Sequence, residues 1–318
     1  MITISVCMIV KNEEERLGTC LESLKTIADE IIIVDTGSSD ATKEVAARYT
    51  DKIYDFAWTG SFADARNYSF SLATGDYIYC ADADEELDSE NIDKFLMLKN
   101  IMDPEIDIVQ MYYCNQLENN TIYSYDRELR PKLYKRLRTW MWESDIHEAV
   151  RLNPVIYDSE IDIIHRPTPG HAVRDLKAFE RLIESGESIS KRLIEIYEKE
   201  LVIAGEPDNM RFAVGFFDDY CESEDLTHDE LARAFAVNSI CHKRMGDMTG
   251  FLKYALRAAA GDLLTSEICF ELGDYYEKQG DIPEALMWYS NAYEQAESYL
   301  DIRYQNEYPN KRMQELMP

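Results

Sequence analysis

Positive charge is scarce in this chain: 33 Lys and Arg stand against 61 Asp and Glu over 318 residues, a net charge of -28. Phosphate backbones are gripped by clustered Lys and Arg, so the balance argues against a nucleic-acid partner. It leaves room for a cationic partner or a solubilising surface. No stretch approaches the roughly 20 consecutive apolar residues that cross a bilayer. The opening Met1-Ile-Thr-Ile-Ser5 alternates like a strand and lacks the basic start of a secretory leader. Together these absences predict a cytoplasmic protein without a membrane span. The seven cysteines (Cys7, Cys20, Cys80, Cys114, Cys221, Cys241, Cys269) form no Cys-x-x-Cys pair and are odd in number. That speaks against a disulfide framework or zinc site and predicts reduced thiols used as small core hydrophobes. Neither Gly-x-Gly-x-x-Gly nor Gly-x-x-x-x-Gly-Lys-Ser/Thr occurs, so dinucleotide and P-loop mechanisms are not favoured.

Hydrophobic residues make up 46% of the chain, enough for two ordinary globular domains. The first hundred residues alternate strand and helix. Ile2, Ile4, Val6, Met8 and Val10 share one face of an extended run, and Asn12 with Glu15 suggests a capped helix start. Ile31-Ile-Ile-Val34 is apolar throughout, as a strand covered on both faces requires. It ends in Asp35-Thr-Gly-Ser-Ser-Asp40, where Ser39 is placed to cap a helix from Ala41 to Tyr49. Lys52 to Phe56 follows as a third strand, Phe62 to Ala73 as a third helix and Tyr77 to Ala81 as a fourth strand. The pattern predicts an α/β domain built on a mostly parallel sheet.

In open sheets of this kind ligands bind beyond the carboxyl ends of the strands. Three polar clusters stand there: Lys11-Asn12-Glu13, Asp35, and Asp82-Ala-Asp84. Side-chain alternation puts Asp82 and Asp84 on one side, suited to a divalent metal beside a diphosphate. Solvated charge is the plain alternative for that pair, a turn residue for Asp35, and a helix cap for Asn12.

Val6-Cys-Met-Ile-Val-Lys-Asn-Glu-Glu14, Ile33-Val-Asp-Thr-Gly-Ser-Ser-Asp-Ala-Thr42, Phe62-Ala-Asp-Ala-Arg-Asn67, Ala73-Thr-Gly-Asp76 and Ala81-Asp-Ala-Asp-Glu85 occur in that order. In this the first 165 or so residues resemble a family 2 glycosyltransferase of the GT-A fold. The resemblance implies that Val10, Asn12, Glu13, Asp35, Arg66, Asp82 and Ala83 bind a nucleotide sugar, usually a UDP-sugar. It makes Asp84 the direct ligand of Mn2+ or Mg2+, with Asp82 facing ribose or metal-bound water. Arg66 reads otherwise as an exposed helical residue.

Relatives with helical-repeat tails carry an Ile/Val-His-Glu triplet further on, here Ile146-His147-Glu148. The resemblance implies Glu148 as the base that deprotonates the acceptor and His147 as an orienting group; Asp145 competes, and an ordinary strand lining is the plain reading. His165 ends Ile161-Asp-Ile-Ile-His165 and resembles a third metal ligand, although the following Arg166-Pro-Thr-Pro-Gly-His171 departs from the pattern and offers His171 as a rival. Arg127-Glu-Leu-Arg-Pro-Lys-Leu-Tyr-Lys-Arg-Leu-Arg138 holds six basic residues and predicts a cationic lining for diphosphate, or else a solvated strand face. Trp140 and Trp142 stack on sugar or fill a core.

Beyond Pro169 the pattern turns helical, with Leu176 to Ala204 reading as one long amphipathic helix. Gly246-Asp247 and Gly280-Asp281 recur at 34 residues, as do Leu252 and Leu286, and Ala258 and Ala292. Leu272-Gly-Asp-Tyr-Tyr276 with Ala285-Leu-Met-Trp-Tyr289 follows the tetratricopeptide pattern. The expected division is 1-170 for the GT-A domain and 171-318 for a tetratricopeptide-like domain, whose apolar faces need stacking neighbours and allow a homodimer. The combination resembles bacterial peptide and protein glycosyltransferases of the bacteriocin S-glycosyltransferase type. It implies metal-dependent, inverting transfer of a hexose from a UDP-sugar to Ser, Thr or Cys of a polypeptide. A cell-surface glycan as acceptor is the second reading, and a non-catalytic adaptor a remote third.

Overall fold

The computed structural model describes the whole chain except residues 115-126, 139-141, 144-148, 151-152, 167-170, 187-188, 224 and 318; for 142-143, 149-150 and 171-174 it describes the backbone alone. The chain divides into two compact units, one of residues 1-115 and 126-167, the other of 116-125 and 168-318.

The first unit is built on an eight-stranded sheet in the order β3-β2-β1-β4-β7-β6-β10-β5. Its first four strands, β1 (Ile4–Val10), β2 (Glu30–Asp35), β3 (Ile53–Asp55) and β4 (Tyr77–Ala81), run parallel. The helices between them are α1 (Leu17–Leu24), α2 (Thr42–Ala46) and α3 (Phe62–Ser71). A nearly continuous apolar sequence, interrupted only by buried Ser5 in β1, explains β1 and β4, since helices cover both faces of a parallel sheet and bury nearly every residue. After β4 come β5 (Glu85–Glu86), α4 (Ser89–Ile101), β6 (Ile108–Cys114), β7 (Glu128–Lys135) and β10 (Ile156–His165), with β8 (Trp142–Glu143) and β9 (Ala149–Val150) forming a separate ribbon.

Strand β7 is antiparallel to both β4 and β6, while β10 is parallel to β6. The sheet is therefore mixed, and β10 runs in the same direction as β1 to β4. Its last residue, His165, consequently arrives at the edge where β4 delivers Asp82. Short β5 pairs antiparallel with β10, setting His165 opposite Glu85 in register.

Two expected helix starts differ. Helix α1 begins at Leu17 with no side-chain cap, because Asn12 lies in the left-handed region (φ 57) and its side chain is used elsewhere. Helix α2 is a short Thr42–Ala46 segment, and Ser39 does not cap it.

The second unit is all helix among its described residues: α5 (His171–Glu184), α6 (Lys191–Ala204), α7 (Pro207–Tyr220), α8 (His228–Arg244), α9 (Met248–Ala260), α10 (Ser266–Lys278), α11 (Ile282–Glu294) and α12 (Glu307–Leu316), with a 3-10 turn at Ile302–Tyr304. The single helix expected from Leu176 to Ala204 is two. Gly186 takes φ 70, which stops the first, and Ser190 starts the second by accepting a bond from the Leu193 N–H at 3.3 Å.

The 34-residue period has a repeated physical cause. Gly246 and Gly280 turn with φ 83 and 82, and the next residue, Asp247 or Asp281, caps the second helix of each pair. In both turns that Asp N–H reaches back to a carbonyl five residues earlier, His242 or Tyr276, at 2.9 and 3.0 Å. Ala258 and Ala292, one period apart, are both fully buried.

Candidate functional site

The carboxyl ends of β1 and β2 are tied together. Val10 pairs with Asp35 in register, and its carbonyl accepts the Thr36 N–H at 3.0 Å. The Asn12 side-chain oxygen accepts the Ser39 N–H at 2.8 Å, while its own N–H donates to the Ser38 hydroxyl at 2.9 Å. The Glu13 N–H donates to the Thr42 hydroxyl at 2.7 Å. Asp35 is 1% exposed; one oxygen accepts the N–H groups of Gly37 and Ser38, both at 2.9 Å, and the other is buried without a partner among the described residues. A buried, half-satisfied carboxylate costs free energy unless something donates to it. Asn12 and Asp35 thus frame one loop-lined recess rather than two independent turns.

Beside this recess β4 ends in Asp82-Ala-Asp84. Ala83 is buried and turns the chain, so the two carboxylates diverge in partners. Asp82 bonds the Arg66 guanidinium from α3 at 2.7 Å and lies 3.6 Å from the Lys132 ammonium of β7. The second Arg66 nitrogen reaches the Cys80 sulfur at 2.7 Å. Lys132, 7% exposed, also holds Glu85, which is 1% exposed. Burial alone would raise the Asp82 pKa; Lys132 and Arg66 outweigh it and hold the carboxyl well below the usual carboxylate range. For Glu85 burial wins over Lys132 and pushes the pKa up to about 7.

Asp84 has no Lys or Arg partner among the described residues; its carboxylate meets the His165 ring at 3.2 Å, and each side chain is 12% exposed. His165 in turn lies against Tyr113 of β6, ring centroids 4.6 Å apart. The pairing of β5 with β10 makes this contact, helped by the Arg166 N–H donating to the Asp84 carbonyl at 2.8 Å. Arg16 adds a bond from its side chain to the Arg166 carbonyl at 2.8 Å, which ties the loop after β1 to the end of β10.

The structure therefore gathers Val10, Asn12, Glu13 and Asp35 at the ends of β1 and β2, Arg66 with Asp82, and Asp84 with His165. His147, Glu148, Asp145 and Trp140 lie outside the described residues, as do the side chains of Trp142 and His171. The expected cationic lining is narrower than the basic run. Arg127 pairs with Asp162 at 2.7 Å, Lys135 donates to the Pro104 carbonyl and Arg136 to the Gly75 carbonyl, each at 2.5 Å, and Arg138 approaches Asp107 at 3.4 Å. Arg130 and Lys132, two apart on β7, both lie over the Tyr113 ring, at 4.4 and 5.0 Å. Lys132 and Glu85 were not singled out from the sequence. Period-two alternation along β7 was the available signal.

Residues 5–159 match the family model described as Glycosyl transferase family 2. The α/β unit is a family 2 glycosyltransferase domain. This domain is built on the mixed α/β sheet described above, and a helical region follows it. A TPR repeat-containing protein of Synechococcus elongatus is 46% identical over 87 residues, covering 27% of this chain and 22% of its own length. The SPbeta prophage-derived glycosyltransferase SunS of Bacillus subtilis is 27% identical over 258 residues, covering 79% of this chain and 56% of its own length. The chain thus spans well under two thirds of either relative. Glucosyl-3-phosphoglycerate synthase from Mycobacterium tuberculosis, solved with Mn2+ and UDP-glucose, is 15% identical with a TM-score of 0.41, over 60% of this chain and 81% of that one. No described helix of the glycosyltransferase domain or of the tail is long and apolar enough to cross a membrane.

Proposed function

We propose that the chain is a metal-dependent, inverting glycosyltransferase that moves a hexose from a UDP-sugar to a Ser, Thr or Cys side chain of a polypeptide. The observation that carries the donor side is the division of labour in Asp82-Ala-Asp84: Asp82 is neutralised by Arg66 and Lys132, whereas the ion-pair partner of Asp84 among the described residues is a histidine and no Lys or Arg. That leaves the Asp84 and His165 pair as the place for an added cation. One carboxylate oxygen and one imidazole nitrogen are few ligands, and among the described residues no third His, Cys, Asp or Glu joins them. Such a set fits Mn2+ or Mg2+, which bind through one or two protein groups and fill the rest with diphosphate oxygens and water. When bound, the ion offsets the charge that develops on the departing diphosphate.

The chain's own residues do the rest. Val10, Asn12, Glu13 and the half-satisfied Asp35 hold the base and ribose in the recess between β1 and β2. Arg66 fixes Asp82 toward ribose or a metal-bound water, and buried Ala83 lets the donor approach the turn. Glu148, with His147 orienting, takes the acceptor proton as the acceptor oxygen or sulfur forms its bond to the anomeric carbon and the bond to the UDP oxygen breaks. Attack opposite the leaving group inverts the anomeric centre. Support for a polypeptide acceptor comes from the joining of this domain to 34-residue helix pairs, the combination that resembles peptide and protein glycosyltransferases. Incubation with a mixture of UDP-hexoses and Mn2+, followed by mass spectrometry of candidate polypeptides, tests the reading. A hexose increment on Ser, Thr or Cys supports it. UDP release with transfer only to a glycan would move the acceptor to a cell-surface polysaccharide, and no metal-dependent UDP release would remove the enzyme reading.

A further inference from the structure

Within the helical unit, α5 and α7 border an open groove of about 620 Å3. Ile183, Phe212, Gly215, Phe216 and Tyr220 line it, together with Glu184 and Asp219, and among the described residues no Lys or Arg does. Its size falls within the range of pockets that hold ligands. The aromatic wall is preorganised: Phe216 and Tyr220 stack at 5.6 Å with planes 16° apart, and Phe216 also meets Phe217 edge-on at 5.1 Å. Rigid aromatics of this kind anchor partners at low entropic cost.

Gly215 stands in mid-helix, where glycine costs about 1 kcal/mol against alanine. A Cβ added there meets nothing within 4 Å, so no internal contact demands glycine. Gly273 in α10 is the contrast, since a Cβ there would sit 2.6 Å from the Tyr289 ring. Gly215 adds no side chain to the groove floor, and the space above it would take a methyl group without contact. The groove's polar members select the occupant. Glu184 and Asp219 are exposed carboxylates, and Glu184 ends α5, where the helix dipole adds negative potential.

We propose that this groove docks a basic and apolar stretch of the polypeptide acceptor: an aromatic or branched aliphatic side chain enters over Gly215, and a neighbouring Lys or Arg pairs with Glu184 or Asp219. The proposal rests on the polypeptide-acceptor reading and adds the class of sequence recognised. It also separates recognition from the modified residue, since the groove holds none of the residues assigned to donor chemistry.

The test is fluorescence anisotropy on the full chain with a labelled octapeptide alternating Lys with Phe and Leu, beside a Glu-for-Lys counterpart. Gly215→Trp should weaken the basic peptide at least tenfold, Gly215→Ala should bind it like the parent, and Glu184→Gln with Asp219→Asn should weaken it at least threefold. Circular dichroism and metal-dependent UDP release should be the same in all of these, which separates a filled groove from a misfolded chain. Equal affinity in Gly215→Trp, equal binding of the acidic counterpart, or no binding by the parent would each overturn the proposal. So would sedimentation showing that Gly215→Trp dissolves a dimer while peptide affinity stays intact, which would assign the groove to a second copy. If polypeptide transfer proceeds with unchanged KM in Gly215→Trp, the groove fails and the acceptor reading stands. If the peptide docks as expected but no polypeptide is ever modified, the acceptor reading fails and the docking stands.

Discussion

Replacing Arg66 by Met removes both nitrogens that hold the end of β4, one on Asp82 and one on Cys80, each at 2.7 Å. The worth of the pair with Asp82 depends on its wetness. Exposed ion pairs contribute about 0-1 kcal/mol, whereas breaking a fully buried pair costs about 3-5 kcal/mol. Arg66 and Asp82 are 34% and 35% exposed, which places them between these limits. A value of about 1.5 kcal/mol, near the lower end for hydrogen bonds to charged groups, is the reasonable estimate. Lys132, 3.6 Å from the other Asp82 oxygen, keeps that carboxylate ionised after the change, so lost orientation rather than lost charge is measured. If Arg66 orients Asp82 toward the nucleotide, Arg66→Met should raise the Kd for UDP about tenfold, because 1.4 kcal/mol is one decade. Titration calorimetry in the presence of Mn2+, run on Arg66→Met, Asp82→Asn and the double variant, gives the coupling. The double variant should be little worse than the weaker single one. Independent, multiplying effects, or a UDP affinity within twofold of the parent in Arg66→Met, would refute an orienting role.

Gly246→Ala and Gly280→Ala should each lower stability by about 1 kcal/mol, since a side chain at positive φ costs about 1-2 kcal/mol and a less flexible unfolded chain returns part of it. Both positions have open space for a Cβ, so the two losses should match in chemical denaturation; unequal losses would break the equivalence of the turns. Gly75→Ala should cost more, about 1-3 kcal/mol as overpacking does, because its Cβ would meet Ser5 Oγ at 2.8 Å and Ser5 N at 2.9 Å. A thermal melt unchanged from the parent would contradict that contact. Glu198, 1% exposed and bonded by Arg233 at 2.9 Å, has its pKa pushed up to about 7 by burial, against the pull of Arg233. A raised folded pKa means that its favourable contribution is complete below about pH 4.5, the unfolded value, and is lost as pH rises through about 7. At about 1.36 kcal/mol per unit the loss is at most about 3 kcal/mol. Glu198→Gln should therefore flatten the fall in stability between pH 5 and pH 8, and an identical pH profile would refute the assignment.

Apolar periodicity made β1, β2 and β4 legible, and with them the recess at their carboxyl ends, because burial on both faces leaves few alternatives for runs such as Ile31-Ile-Ile-Val34. Strand direction was not legible. Hydrophobic pattern is blind to whether β7 runs up or down, yet its antiparallel insertion is what brings β10 and His165 to the edge holding Asp84. The same blindness hid Lys132 within a basic run whose other members mostly tie down loops. Asn12 looked like a cap because caps and loop bridges use the same amide; its positive φ turns it toward Ser39 instead. The long helix after residue 170 failed at Gly186, where one left-handed residue outweighs an amphipathic stripe that continues on both sides. The 34-residue period was readable because each repeat spends a Gly and an Asp on the same turn.

Electron paramagnetic resonance of Mn2+ tests the donor site most directly, since the free-ion signal falls as the metal is taken up with UDP. The parent chain and Asp82→Asn should both lose signal when UDP is added, whereas Asp84→Asn should leave it close to that of UDP and Mn2+ without protein. Uptake by Asp84→Asn equal to the parent would contradict the placing of the metal on Asp84.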